Sequence, residues 1–115
     1  MSAYTFDLVA TPDADVVVVT LTGELDLTNA RELEERLEGA APPDMLLVVD
    51  LSRVVFIDSA ALHVFFKIAR RRGPDALAVA MGAEAPIARA VDIVGLGKAM
   101  RIVPAPENAH LAPMD

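Results

Sequence analysis

An α/β fold built on a mostly parallel sheet is what the chain predicts, and three observations predict it. Short β-branched runs alternate along the sequence with stretches of helical periodicity. Two of those runs, residues 16–22 and 45–50, are apolar on both sides, the pattern of strands inside a covered sheet. The helical stretch between them supplies the crossover that parallel neighbours need. With 115 residues the chain fits one domain with one core, so its function must fit on one small surface.

Residues 4–10 begin the order as a first strand, with Tyr4, Phe6 and Leu8 on one side and Thr5 and Asp7 on the other; Pro12-Asp13 marks the turn after it. Residues 16–22 form the central strand, which Gly23, Glu24, Leu25 and Asp26 interrupt, Gly23 allowing a tight turn. Asn29 and Glu32 have the spacing of a capping box, which places a helix start there. Ala30, Leu33, Leu37 and Ala40 recur on one face of that helix, and Gly39 with Pro42-Pro43 limits its length. Arg31 with Glu35, and Glu32 with Arg36, put opposite charges one turn apart, each pair worth about 0.2–0.5 kcal/mol.

Residues 45–50 are the next strand and place Asp50 at its C-terminal end. A short segment, Val54, Val55, Phe56 and Ile57, leads to Asp58 and Ser59. Leu62, Phe65, Phe66 and Ala69 then recur as a buried helical face closed by Gly73-Pro74. Residues 77–81 make another strand, and Pro86 suits the first turn of a third helix. The stripe of that helix is Ile87, Ala90, Val91 and Val94, ending near Gly95 and Gly97. Met100, Ile102 and Val103 supply a last edge strand. Beyond Pro104, a segment with Pro106, Asn108, His110 and Pro113 shows no repeating apolar face. The expected division is therefore a domain over 1–104 and a flexible tail over 105–115.

Composition narrows the function. Cysteine is absent, which excludes a disulfide framework, a thiolate nucleophile and a cysteine zinc cage. The first eleven residues carry neither a basic nor a long apolar segment, and no stretch approaches the roughly 18 apolar residues of a membrane span. A cytoplasmic protein with no membrane insertion is expected. A net charge of -7 disfavours direct nucleic-acid binding and favours a protein partner. Lys67, Arg70, Arg71 and Arg72 form a basic patch expected to sit apart from the acidic run at Glu32, Glu34, Glu35 and Glu38.

The segment Phe56-Ile57-Asp58-Ser59-Ala60-Ala61-Leu62 is the best place for chemistry or switching. An extended segment ends there and a helix begins, so free amides and the positive end of the dipole meet whatever sits at Asp58 or Ser59. Either residue can cap the helix, and a structural cap and a functional Ser59 both fit the pattern. Hydrolase chemistry fits poorly: no G-x-S-x-G elbow surrounds Ser59, and His63 on the next turn reads as a half-exposed helical side chain. Asp26, Asp50 and Asp58 define no metal ligand set and read as turn residues. Gly95-x-Gly97 follows a helix rather than joining a strand to one, so it is no phosphate fingerprint. No cofactor and no metal are expected.

Taken together, the stretches Val18-Val19-Thr20-Leu21-Thr22-Gly23-Glu24-Leu25-Asp26, Leu47-Val48-Val49-Asp50-Leu51-Ser52 and Phe56-Ile57-Asp58-Ser59 followed by Leu62 resemble the STAS domains of the anti-sigma factor antagonist family. The likeness runs over about residues 4–103 and includes Ile87-Ala88-Arg89-Ala90-Val91 to Gly95-Leu96. It implies a four- to five-stranded sheet with helices mainly on one side, and a partner-switching binding module rather than an enzyme. In the best-known branch the unmodified domain binds a serine-kinase anti-sigma factor and releases sigma factor; the kinase phosphorylates the domain's serine and a phosphatase restores binding. Ser59 matches the phosphoacceptor, and Asp26 and Asp58 match acidic positions around the interaction site. With Ala60, Ala61 and His63 they make up the partner-binding surface that the resemblance implies. Family members often carry Gly where this chain has Ala61, which bears on the choice of kinase. A stressosome-like complex or an ATP-binding-cassette lipid transporter accessory is the alternative setting.

Overall fold

Five strands stand side by side in the order in which the chain makes them: β1 (Tyr4–Thr11), β2 (Val16–Leu25), β3 (Leu46–Ile57), β4 (Leu77–Ala80) and β5 (Arg101–Val103). The computed structural model describes residues 3–11, 15–73 and 75–109. β1 runs antiparallel to β2, and every later pair is parallel. The crossovers are α1 (Ala30–Glu38), α2 (Ser59–Arg72) and α3 (Ala88–Val94). This is the mixed, mostly parallel sheet that the sequence predicts, with the helices on one face. The expected turn at Pro12-Asp13, Pro74, and His110 with the rest of the tail lie outside the described residues.

Strand alternation divides the apolar side chains between two faces. Val17, Val19 and Leu21 of β2, Leu47, Val49 and Leu51 of β3, and Leu77 and Val79 of β4 meet Leu33, Leu37, Phe65 and Ile68 from the helices. The opposite face gathers a smaller cluster of Val16, Val48, Ala78, Ala80, Val103 and Ala109. Ala109 belongs to the segment expected to be loose. Pro106–Asn108 instead form a 3-10 turn, and Ala109 is fully buried, its carbonyl accepting a hydrogen bond from Arg101 Nη1. One small side chain at the right place on a sheet face leaves no periodicity to read.

Gly23 does not end β2. The strand continues to Leu25, with Gly23 at φ 92 and the Ala3 carbonyl so close that a Cβ would lie 2.4 Å from its oxygen. The glycine serves a close backbone approach rather than a turn. β3 is likewise a single 12-residue strand, so Asp50 lies inside it and not at its end. Register shifts between β2 and β3 put extra residues on the β3 side. There Asp50 Oδ1 accepts from the Ser52 amide (2.9 Å) and hydroxyl (2.6 Å), a local turn within a bulged strand.

Two local pairings are corrected as well. Helix α1 starts where expected, but Asn29 makes no side-chain cap bond and Glu32 accepts instead from the Tyr4 hydroxyl at 2.7 Å. Burial and that bond push the Tyr4 phenol above its ordinary value. Arg36 lies over the Phe6 ring, 4.2 Å from its centre, rather than pairing with Glu32. The acidic and basic patches are neighbours: Glu34 binds Lys67 Nζ at 2.7 Å and Arg71 Nη1 at 3.0 Å, and Arg71 also reaches Glu38. The helices α1 and α2 are adjacent on the sheet, which sequence spacing does not reveal. On α3 Val91 is buried, whereas Val94, expected in its stripe, is 45% exposed.

Candidate functional site

Sequence mechanics left the cap of α2 open between Asp58 and Ser59, and the geometry assigns it. Asp58 is the N-cap in extended conformation, and its Oδ1 accepts from the Ala61 amide at 3.0 Å. The second carboxylate oxygen accepts from the Leu27 amide at 3.0 Å. One side chain therefore fixes the start of α2 and the loop leaving β2, while the Asp58 amide donates to the Leu25 carbonyl. Ser59 is the first helical residue and is exposed, with no part in the cap.

The loop opposite is equally well held. Asp26 Oδ1 accepts from the Thr28 amide and hydroxyl at 2.9 and 2.6 Å. Asn29, the buried polar side chain of the domain's described residues, accepts from the Asp26 amide and donates to the Glu24 carbonyl. These loop bonds stand in place of the capping-box bond expected of Asn29. The result is a hydrogen-bonded rim on which Leu27 is 77% exposed.

Of the residues expected at the site, Asp26, Asp58 and Ser59 are brought together at the C-terminal end of β2 and β3. Ala60 is half-buried beside them and His63 is exposed one turn along α2. Ala61 is fully buried in the helix-side core, so its methyl faces the sheet. Asp50 stands apart in mid-strand. No group of three or more His, Asp or Glu side chains suited to a metal ion occurs among the described residues. Sequence reasoning missed the apolar part of the surface: Leu27, Val55 and Phe56 are 77%, 59% and 49% exposed around the acidic rim. The signal for Val55 and Phe56 is the bulged register of β3, which one sequence does not display.

The family model for the Mlab STAS domain matches residues 9–104. The chain belongs to the STAS domains of the anti-sigma factor antagonist family. It is 31% identical over 88 residues to the anti-sigma-F factor antagonist RsfB of Mycobacterium tuberculosis, covering 76% of this chain and 72% of that one. The crystal structure of an anti-sigma factor antagonist from Mycobacterium paratuberculosis superposes with a TM-score of 0.81 at 27% identity, over 98% of this chain and 96% of that one. The phosphorylated form of the Bacillus cell fate determinant SpoIIAA shares the fold, with a TM-score of 0.58 at 21% identity over 93% and 96% of the two chains. As a STAS domain the chain is a regulatory binding module and not an enzyme. No helix among its described residues is long and apolar enough to cross a membrane.

Proposed function

We propose that this STAS domain is a cytoplasmic partner-switching antagonist whose unmodified form binds a serine-kinase anti-sigma factor and releases sigma factor, and that phosphorylation of Ser59 reverses this. The observation that carries the reading is the division of labour at the start of α2: Asp58 makes the cap, and Ser59 is exposed beside it. A phosphoryl group on Ser59 then breaks no bond that holds the fold. It adds about -1.5 to -2 charges at a helix N-terminus, which the leading amides and the dipole tolerate. The kinase transfers the γ-phosphoryl of ATP to the Ser59 oxygen, which loses its proton, and ADP leaves; a phosphatase hydrolyses the ester.

The contact surface combines the acidic rim of Asp26 and Asp58, the helix start at Ser59, Ala60 and His63, and the exposed Leu27 and Phe56. Apolar anchors beside polar groups suit a protein interface. Phosphate bulk and repulsion from the neighbouring carboxylates weaken that interface by about 1–3 kcal/mol, roughly 5–150-fold. The test is to capture the native partner, map ATP-dependent modification by mass spectrometry, and compare its affinity for the unmodified, phosphorylated and Ser59→Ala proteins. Expected are modification at Ser59 alone, persistent binding by Ser59→Ala, and weaker binding after phosphorylation. Modification elsewhere, or equal binding by both forms, overturns the switch. Capture of a large sensor assembly or a transporter ATPase places the domain in the stressosome-like or lipid-transport setting.

A further inference from the structure

A second surface lies well away from Ser59. β3 runs seven residues past the Asp50–Ala80 pair before it reaches Ile57, about 20 Å of strand. Beside the shorter β4 and β5, the exit of β4 and the start of α3 leave a groove of about 640 Å³. Its apolar lining is Met81, Val91 and Ile102, its charged lining Arg89, Lys98 and Asp92. The volume falls within the range of small-molecule sites, about 300–1,000 Å³.

We propose that this groove binds a small amphipathic anion, its apolar body over Met81, Val91 and Ile102 and its carboxylate or similar head at Arg89 and Lys98. Charge argues for the sign of the ligand. In the groove the two cations Arg89 and Lys98 outnumber the single carboxylate, Asp92, and neither cation enters an ion pair among the described residues, so the local charge opposes the net -7 of the chain. Glycine argues for the room. Gly82, Gly95 and Gly97 all line the groove. A Cβ at Gly82 would meet nothing within 4 Å, and one at Gly97 would meet the Ile102 side chain at 3.5 Å. Neither Gly82 nor Gly97 has a positive φ, so backbone conformation does not require glycine there. Their lack of side chains keeps the space open.

The test is an amide NMR titration of the intact protein with octanoate, using octylammonium and inorganic phosphate as controls. Saturable shifts are expected at Gly82, Val91, Gly95, Gly97 and Ile102, with Ser59 and Leu27 unmoved. Octylammonium should bind about tenfold more weakly, as should octanoate to the Arg89→Ala, Lys98→Ala double variant. Gly97→Leu, which fills the space over Ile102, should abolish the shifts; Gly82→Leu does the same if the variant at 97 fails to unfold cooperatively. Equal binding of octylammonium reduces the groove to a greasy surface, and phosphate shifts as large as those of octanoate reduce it to a simple anion site. Either result, or no saturation, overturns the proposal.

Discussion

The two ends of α2 use their polar groups in opposite ways. At the C-terminal end Arg72 is spent on the chain itself: Nε donates to the Ala76 carbonyl, Nη1 to Ala41, and Nη2 to Pro42 and Met45. Its neighbour Arg71, and Lys67 one turn before Arg71, are held by Glu34 and Glu38. At the N-terminal end a single carboxylate, Asp58, meets the structural need, and Ser59 and His63 are left facing solvent. Two arginines of the basic patch, Arg71 and Arg72, thus hold the fold, and an ordinary cap motif is where an exposed hydroxyl is displayed. The number of obligations on a side chain, rather than its charge, separates the end that holds the fold from the end that is available to a partner.

The sharpest way to break that contrast is at the clamp. Arg72→Met keeps an unbranched apolar stem and removes every donor, leaving four carbonyl acceptors without it. A loss of about 2–4 kcal/mol in denaturant unfolding is expected, because partly buried acceptors lose charge-assisted bonds at once. A change below about 0.5 kcal/mol would show that water replaces the guanidinium and that the clamp is decorative.

Asp58→Ala comes next, at about 1–2 kcal/mol, since it removes the cap of α2 and the tie to Leu27 together. Asp58→Asn keeps an acceptor for the Ala61 amide and should recover part of that loss. Ser59→Ala belongs at the other extreme: an exposed residue outside the cap should change stability by less than about 0.5 kcal/mol. If Ser59→Ala costs as much as Asp58→Ala, the division of labour between the two residues is wrong, and with it the argument that phosphorylation leaves the fold intact.

Much of this was legible because it is periodic. The β-branched runs, the stripe Leu33, Leu37 and the stripe Leu62, Phe65, Ala69 follow from local spacing, and the strands and helices appear where those patterns lie. What escaped depends on which segments become neighbours. Gly23 needs the Ala3 carbonyl beside it to be understood, Asn29 needs Glu24 and Asp26, and Arg72 needs two loops from elsewhere in the chain. At the site the same rule holds. The position of Ser59 follows from the junction of an extended segment with a helix, whereas its freedom from the cap is a matter of which oxygen meets the Ala61 amide.

The ion pairs between α1 and α2 give the smallest and most specific test. Hydrogen bonds from Lys67 and Arg71 hold the Glu34 carboxyl below its ordinary value of 4.5. A carboxylate lowered in the folded state stabilises the fold above its unfolded pKa, and the contribution is lost as pH falls through the folded one. Arg71 is half-exposed, at 52%, so solvent and salt screen the interaction and about 0.5–1 kcal/mol is expected. Glu34→Gln should therefore lower stability by that amount at pH 7. The difference should shrink as pH falls through the lowered pKa of the folded wild-type carboxylate, and in about 1 M salt, where the Debye length is about 3 Å. Urea unfolding of both proteins across pH and salt reads this directly. A difference that stays constant, or grows toward acid, would mean that Glu34 acts through packing against α2 rather than through its charge, and the clamp at this end of the helix would then rest on Arg72 alone.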